Sequence, residues 1–175
     1  MKREEILAMI EAAHARGDVP DLRNADLSGM DLSGTDLSKI NLRYANLSQA
    51  NLSEANLEGA DLTGADLGQA NLTQAKLKNA ELLGVNLVKA VLNGADLLDA
   101  SLRNANLTDA YLNSAILVET SMRGAGLAVA DMHRADLEGA NLIRANLTGA
   151  NVTQVQLSRA RSLKGAIMPD GTIHP

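Results

Sequence analysis

The feature that most constrains this chain is a repeat of five residues. Every fifth residue from Leu22 to Leu157 is apolar, in 28 consecutive positions, and only Met122, Met132 and Val152 replace leucine there. A second column, two residues earlier, is Ala in 21 of the 28 units, and the residue between the columns is Asp or Asn in 19. The repeating motif is Ala-Asp/Asn-Leu-x-x, and self-similarity at a fixed period indicates a solenoid.

A period of five matches neither the 3.6 residues of a helical turn nor the two-residue alternation of a strand. Two inward positions around one outward position are typical of a short extended piece, and the two remaining residues suit a turn. Four such bends close a square, and the units then build about seven coils at a strand spacing of roughly 4.8 Å. The chain has no Phe and no Trp, which fits a narrow core. The prediction is an all-β solenoid of four-sided coils in which residues i and i+20 stack.

The pattern resembles the pentapeptide-repeat family, and the resemblance holds without a break over residues 20–160. It implies a right-handed quadrilateral β-helix, and the handedness comes from the family rather than from the period. Two other repeat classes do not fit, because hexapeptide acyltransferases keep a period of six and leucine-rich repeats space their leucines unevenly. We expect residues 1–175 to form a single domain.

Residues 2–16 predict a short amphipathic helix, with Ile6, Met9, Ile10 and Ala13 on one side. The first coil of a solenoid exposes unpaired strand edges, so the expected role of this helix is to cap that coil. The alternative is a helix that binds a partner or a membrane.

The C-terminal segment, residues 161–175, is expected to form a capping turn. The repeat frame slips by one residue after Ala160, so that Leu163 and Met168 take the central position, and a Pro-Asp-Gly turn follows. This ending and the N-terminal helix resemble those of cyanobacterial members of the family, one of which regulates heterocyst differentiation. The resemblance implies a cyanobacterial or related bacterial source and a regulatory role.

Composition and charge argue against several classes of protein. The chain has no Cys, which excludes disulfides and Cys-based zinc sites. A net charge of −5 argues against direct binding of nucleic acid, and no apolar run is long enough to span a membrane. The charged N-terminal segment is unlike a secretory signal, so we expect a cytoplasmic protein.

The sequence offers little catalytic chemistry. His14, His133 and His174 lie in separate regions, without the arrangement that an activated nucleophile needs. Carboxylates in the Asp/Asn column stack roughly 5 Å apart, which could form paired acids. However, Asn replaces Asp freely in that column, which favours hydrogen bonds to the local backbone. We therefore expect no enzyme, with no catalytic residue, metal site or cofactor.

Five apolar residues break the polar outer pattern in coils four and five. Val91 and Tyr111 differ by 20 and are expected to stack on the third side, while Leu98 and Val118 stack on the fourth, with Ile116 close by. A cluster of exposed apolar side chains predicts a surface for a protein partner or a second copy of the chain. The alternative is that they are ordinary isolated surface residues.

A stripe of arginines on the first side is a second candidate site. The arginines that follow or flank the central leucine there are Arg23, Arg43, Arg103, Arg123 and Arg144. Guanidinium groups in a row could bind phosphate or acidic groups. The favoured interpretation is that they pair with Asp21, Asp61 and Glu81 on the same side, which is worth roughly 0–1 kcal/mol per pair.

The favoured function is a non-enzymatic structural or protein-interaction module. We expect a monomer or weak dimer whose rigid rod presents columns of side chains to an unidentified protein partner. The alternative, implied by the family, is a DNA mimic that regulates or protects a type II topoisomerase (DNA gyrase). This sequence departs from that subgroup, since it has no Phe at central positions, no inserted loop and only a short C-terminal tail. A net charge of −5 is also modest for imitating a duplex.

Overall fold

The computed structural model describes residues 3–175, and Lys2, at the predicted start of the first helix, lies outside the described residues. The backbone forms a rod whose successive coils are joined by single-residue parallel bridges. Within residues 21–151, each bridge joins residue i to residue i+20, beginning with Asp21 and Asn41. The predicted stacking period of 20 residues is therefore present in the structure. Coil one spans residues 21–40, and sides 1 to 4 of each coil follow in chain order, five residues to a side.

Each side consists of one bridged residue and one tight turn. On side 1 of coil three, the Leu62 N–H donates to Glu81 O at 2.7 Å, and the Ala65 N–H donates back to Leu62 O at 3.0 Å. The second bond closes a β-turn whose third residue, Gly64, has a φ of 67°. A left-handed residue in this place turns the chain sharply. The predicted extended piece followed by a bend is thus realised once every five residues.

The core is a stack of leucine and alanine side chains. In the middle coils these residues are completely buried, as at Ala90 and Leu92, which are both 0% exposed. Thr120 stands in the alanine column, and its buried hydroxyl donates to Leu97 O at 2.9 Å, which satisfies the polar group. The interior of the rod is therefore filled by packed side chains along its length.

Helix α1 (Arg3–Arg16) covers the start of the rod. Ile6, Ile10 and Ala13 are buried, and Arg3 Nε donates to the backbone Asp31 O at 2.6 Å. The prediction that Met9 shares the buried face is wrong, because its side chain is 39% exposed. The end of the square rod is narrow, so only a stripe with the spacing i, i+4, i+7 packs against it.

The C-terminal end departs from the predicted regular repeat. The pattern predicts regular units through Ala160, but the described bridges between residues i and i+20 end with Asn151. Helix α2 (Gln154–Leu157) follows, and the next bridge joins Asn141 to Ser162, a separation of 21 residues. The structure therefore accommodates the one-residue slip of the repeat frame within residues 152–161, so that later residues stack at a separation of 21.

A capping box explains why helix α2 forms. The Thr153 side chain accepts from the Gln156 N–H, and the Gln156 side chain accepts from the Thr153 N–H, which satisfies donors at the start of the helix. The Gln156 amide also donates to Met132 O at 2.8 Å and to Ala135 O at 2.9 Å. In a regular coil, a backbone N–H of the next coil would bond the Ala135 carbonyl, so the side chain replaces it.

We expect Gln156→Ala to lower the free energy of unfolding by about 1–3 kcal/mol, because the Ala135 carbonyl would lose its donor. Chemical denaturation followed by circular dichroism measures the effect. Gln154→Ala is the matched control, since Gln154 is exposed in the same helix and its truncation should change stability by less than about 0.5 kcal/mol. Equal losses in the two variants would contradict this account of the C-terminal end.

The last residues turn back on the end of the rod. Ile167 pairs with Asn146 in a parallel bridge and with Ile173 in an antiparallel bridge. The Met168 N–H donates to Thr172 O at 2.7 Å, and the His174 N–H donates to Ala166 O at 2.8 Å. The tail thereby pairs backbone groups that would otherwise form an open edge on side 2.

Candidate functional site

The Asp/Asn column performs a structural task in the turns. Asp66 Oδ1 accepts from the Gly68 N–H at 2.9 Å, and Asn46 Oδ1 accepts from the Ser48 N–H at 3.1 Å and from its hydroxyl at 2.7 Å. Short polar side chains that bond the backbone two residues ahead stabilise a turn. The column is therefore occupied with holding the bends, whether it carries Asp or Asn.

In coil one these bonds lower carboxyl pKa values. The hydroxyl and N–H of Ser28 donate to Asp26 and hold the pKa of that carboxyl below its ordinary value, and Ser33 does the same for Asp31. A hydrogen bond to the charged form favours ionisation. These carboxylates therefore stabilise the rod above the unfolded-state pKa of about 3.9, and this contribution is lost as the pH falls through the lowered pKa.

We expect the thermal unfolding midpoint to stay level from roughly pH 7 to pH 5 and to fall below about pH 4. The variant Asp26→Asn/Asp31→Asn keeps the bonding pattern that Asn46 has one coil later, but it cannot titrate. Its midpoint should therefore fall less on acidification. Thermal melts across pH test this, and parallel acid profiles for both proteins would contradict the role given to these carboxylates.

The other titratable groups do not converge on a reactive centre. His14 lies on helix α1, where Nε2 is 3.1 Å from Ser38 O, while His133 and His174 lie on coil six and in the tail. Among residues 3–175, no group of three His, Asp or Glu side chains is placed to hold a metal ion. The clefts of the described surface are open ones, such as the cleft of about 490 Å³ between α1 and side 3 of coil one.

The predicted apolar cluster forms two strips on adjacent sides. Val91 and Tyr111 are direct bridge partners at the start of side 3, and Tyr111 is 49% exposed. Ile116, at the start of side 4, is 41% exposed, and Leu98 and Val118 beside it are half-buried. Tyr111 and Ile116 begin consecutive sides of coil five, so the two strips lie on adjacent sides of the rod.

A further apolar residue, Val129, belongs beside the first strip. Its side chain is exposed, and with Tyr111, Lys89 and Asp131 it lines an open cleft of about 440 Å³. Val129 occupies the turn position with a φ of 59°, where a β-branched residue is uncommon. An apolar residue in that outward column was a signal available in the sequence.

The arginine stripe divides into a paired and an unpaired half. Arg23 binds Asp21 in the same turn at 2.7 Å, and Arg43 binds Asp61 in the next coil at 3.1 Å. The predicted pairing with Asp21 and Asp61 is therefore present in the first half of side 1, whereas Glu81, the third expected partner, forms no ion pair within residues 3–175. For Arg103 and Arg123 no carboxylate partner is found within the described part of the chain.

The unpaired half lines a groove near the C-terminal end of side 1. Arg103, Arg123, Ile143 and Arg144 border one depression of about 150 Å³. Lys164, with His174 and Pro175 of the tail, joins the last three of these around a second depression of about 360 Å³. Because Arg123, Ile143 and Arg144 line both, the depressions form one continuous groove along the rod axis.

No helix in residues 3–175 has the length and apolar character needed to cross a membrane.

Comparison with known proteins identifies the repeat. The model of the family described as pentapeptide repeats matches in several overlapping segments. These segments are residues 21–59, 55–94, 70–109, 86–124, 105–142 and 127–161. A comparison with curated proteins finds no match.

Several solved structures are similar to this chain. HetL, a pentapeptide repeat protein involved in heterocyst differentiation regulation in the cyanobacterium Nostoc sp. strain PCC 7120, is 34% identical, with 94% of this chain and 98% of HetL covered and a TM-score of 0.41. Rfr23 from the cyanobacterium Cyanothece 51142 is 26% identical, with coverages of 80% and 95% and a TM-score of 0.51. QnrB1, a plasmid-mediated fluoroquinolone resistance protein, is 17% identical, with coverages of 86% and 90% and a TM-score of 0.40. The chain belongs to the pentapeptide-repeat family, whose members are structural repeat modules, and its rod is the right-handed quadrilateral β-helix of that family.

Proposed function

We propose that this chain is a non-enzymatic protein-interaction module. In this proposal about seven coils, capped at the N-terminal end by α1, form a rigid support, and the apolar strips of coils four and five bind a protein partner. The strips consist of five residues. They are Val91, Leu98, Tyr111, Ile116 and Val118.

The observation that carries the proposal is the replacement of turn-stabilising residues by exposed apolar ones. Regular units place Asp or Asn where the side chain can accept the N–H two residues ahead, as Asp96 does for Leu98 at 3.1 Å. The Ile116 side chain has no acceptor for the corresponding Val118 N–H. Tyr111 likewise does not accept the N–H two residues ahead, and this Asn113 N–H bonds instead to Asn93 Oδ1 at 3.1 Å. Ile116 and Tyr111 thus forgo a local bond and expose apolar surface, a combination that favours a binding role.

The form of the rod supports a macromolecular partner. Leu92 and Leu97 fill the core behind the strips, both with 0% exposure, so no substrate-sized cavity underlies them. A side chain on such a support is held in place before binding, so little ordering entropy is lost on association. Exposed aromatic and branched aliphatic side chains on a rigid surface are typical anchors for another protein.

Affinity capture from lysate of the source cells tests the proposal. The baits are the wild type, Leu98→Glu/Tyr111→Asp, and the matched control Tyr44→Asp. Tyr44 is also an exposed tyrosine, but it lies on side 1 of coil two. Circular dichroism melts establish that all three baits are folded.

We expect a protein that is enriched on the wild type and on Tyr44→Asp and is lost on Leu98→Glu/Tyr111→Asp. Identical captured proteins on all three baits would contradict the proposed surface. A topoisomerase subunit among such shared proteins would favour the DNA-mimic alternative. Loss of self-association in the double variant alone would identify the partner as a second copy of the chain.

A further inference from the structure

The two halves of side 1 provide an internal comparison for the arginine stripe. Arg23 finds its carboxylate two positions earlier, and Arg43 finds one 18 positions later. For Arg103 these two places hold Ser101 and Ser121, and for Arg123 they hold Ser121 and Asn141. The acids that neutralise the first half of the stripe are thus replaced by neutral residues in the second half.

Neighbouring carboxylates are engaged by other arginines. Glu119, at the end of side 4 of coil five, pairs with Arg161. One coil further on, Asp136 and Glu138 both pair with Arg159, at 3.2 Å and 2.6 Å. These three carboxylates are therefore already compensated by Arg159 and Arg161, and they do not neutralise Arg103 or Arg123.

Glycines in the groove make room for the side chains of Arg144 and Asn104. Arg144 lies over Gly165, where its Cγ would be only 3.4 Å from an added Cβ. Asn104, two coils before Arg144, lies over Gly124 in the same way, with its Oδ1 2.5 Å from an added Cβ. The glycines leave space for both side chains, and the half-buried Ile143 lines the same groove.

We propose that this groove binds an acidic segment of a partner protein. We call its cations the C-terminal basic stripe, which consists of Arg103, Arg123, Arg144 and Lys164. Arginine binds carboxylates through two parallel hydrogen bonds. Four cations over three coil steps span about 14 Å, which matches four or five residues of extended peptide. Ile143 adds an apolar contact that a peptide side chain can use.

The same surface is poorly suited to nucleic acid. Binding of single strands depends on aromatic side chains on which bases stack, and Tyr44 and Tyr111 lie on coil two and on side 3, away from the stripe. The net charge of −5 repels an extended polyanion, whose binding rests on many phosphate contacts. A short acidic segment needs only the local positive potential.

This inference rests on the proposed role of the rod as an interaction module, but it concerns a different surface. The test measures binding of a fluorescein-labelled peptide, Gly-Ser-Glu-Leu-Glu-Glu-Glu-Ser-Gly, by anisotropy at low salt. A peptide with Gln in place of every Glu and a single-stranded DNA of equal charge are the comparison probes. The decisive variant is Ser101→Asp/Ser121→Asp, because it restores the acids that neutralise Arg23 and Arg43.

Two further variants separate the possible failures. Asp21→Asn/Arg23→Gln removes a pair that is already neutral and leaves the net charge unchanged, so it should leave peptide affinity within about twofold. Leu98→Glu/Tyr111→Asp alters only the apolar strips and should leave peptide binding intact. If that variant loses its cellular partner yet binds the peptide, the two surfaces are independent.

The expected result is that wild type binds the Glu peptide at least about tenfold more tightly than Ser101→Asp/Ser121→Asp does, and more tightly than it binds the Gln peptide. Raising the salt concentration should weaken that binding. Equal affinities for the Glu and Gln peptides, or no change in Ser101→Asp/Ser121→Asp, would overturn the proposal. Tighter binding of the DNA would overturn it in favour of a nucleic-acid surface.

Discussion

Leu92→Ala is expected to lower the free energy of unfolding by about 2–5 kcal/mol, because it removes buried methyl groups and leaves a cavity that the stacked coils fill poorly. Leu92 is 0% exposed at the centre of the rod, with leucines stacked before and after it. Leu83→Ala is the matched control, since Leu83 is 40% exposed on the outside of the same coil. Its truncation should cost less than about 0.5 kcal/mol.

Chemical denaturation of the two variants, followed by circular dichroism, measures the difference. A large loss for Leu92→Ala with a near-neutral Leu83→Ala would support a dry, close-packed leucine core. Comparable losses would show that inward and outward leucines contribute alike, which a solenoid with this arrangement does not allow.

Removal of one whole coil is expected to leave a shorter folded rod. Deletion of residues 81–100 joins Ala80 to Ser101, so every later residue still stacks on a residue of its own column. Since each coil contacts only its neighbours, the shortened chain should unfold cooperatively at a lower midpoint.

Removal of 19 residues should have the opposite outcome. Deletion of residues 81–99 places Ala100 at an outward position and Ser101 at a leucine position, and it moves every later leucine out of the core. A shift of one residue exchanges the buried and exposed sets, so we expect the cooperative thermal transition to be lost. A 19-residue deletion that melts as sharply as the 20-residue one would contradict the stacking period of 20.

The fold could be predicted from the sequence because one physical requirement repeats. Each side needs an inward alanine, a polar residue and an inward leucine. Because the five-residue spacing does not change, equivalent sides of successive coils stack on one another. Helix α2 was not predicted, because Val152 and Leu157 keep the five-residue spacing of the repeat. The capping-box pair Thr153 and Gln156 was the signal that distinguishes this segment from another turn.

The candidate sites could be predicted only in part. The repeat columns predicted that Val91 stacks on Tyr111 and that Ile116 lies on the next side, but spacing alone does not give the exposure of these side chains. Whether an arginine is paired depends on what its neighbours in the same and the next coil carry. Ser101 and Ser121 stand in the Asp/Asn column of the sequence, but only the structure shows that Arg23 and Arg43 pair with the acids at the equivalent positions.

Both proposed binding surfaces require a rigid rod that advances one strand spacing for every 20 residues. Because the chain has no Cys, pairs of spin labels can be attached through cysteines introduced at Ser28 with Thr108 and at Ser28 with Thr148. Double electron–electron resonance spectroscopy should give narrow distance distributions centred at about 19 Å for four coil steps and about 29 Å for six. Broad distributions, or distances that do not increase in proportion to the number of coils, would contradict the rod on which both binding surfaces are placed.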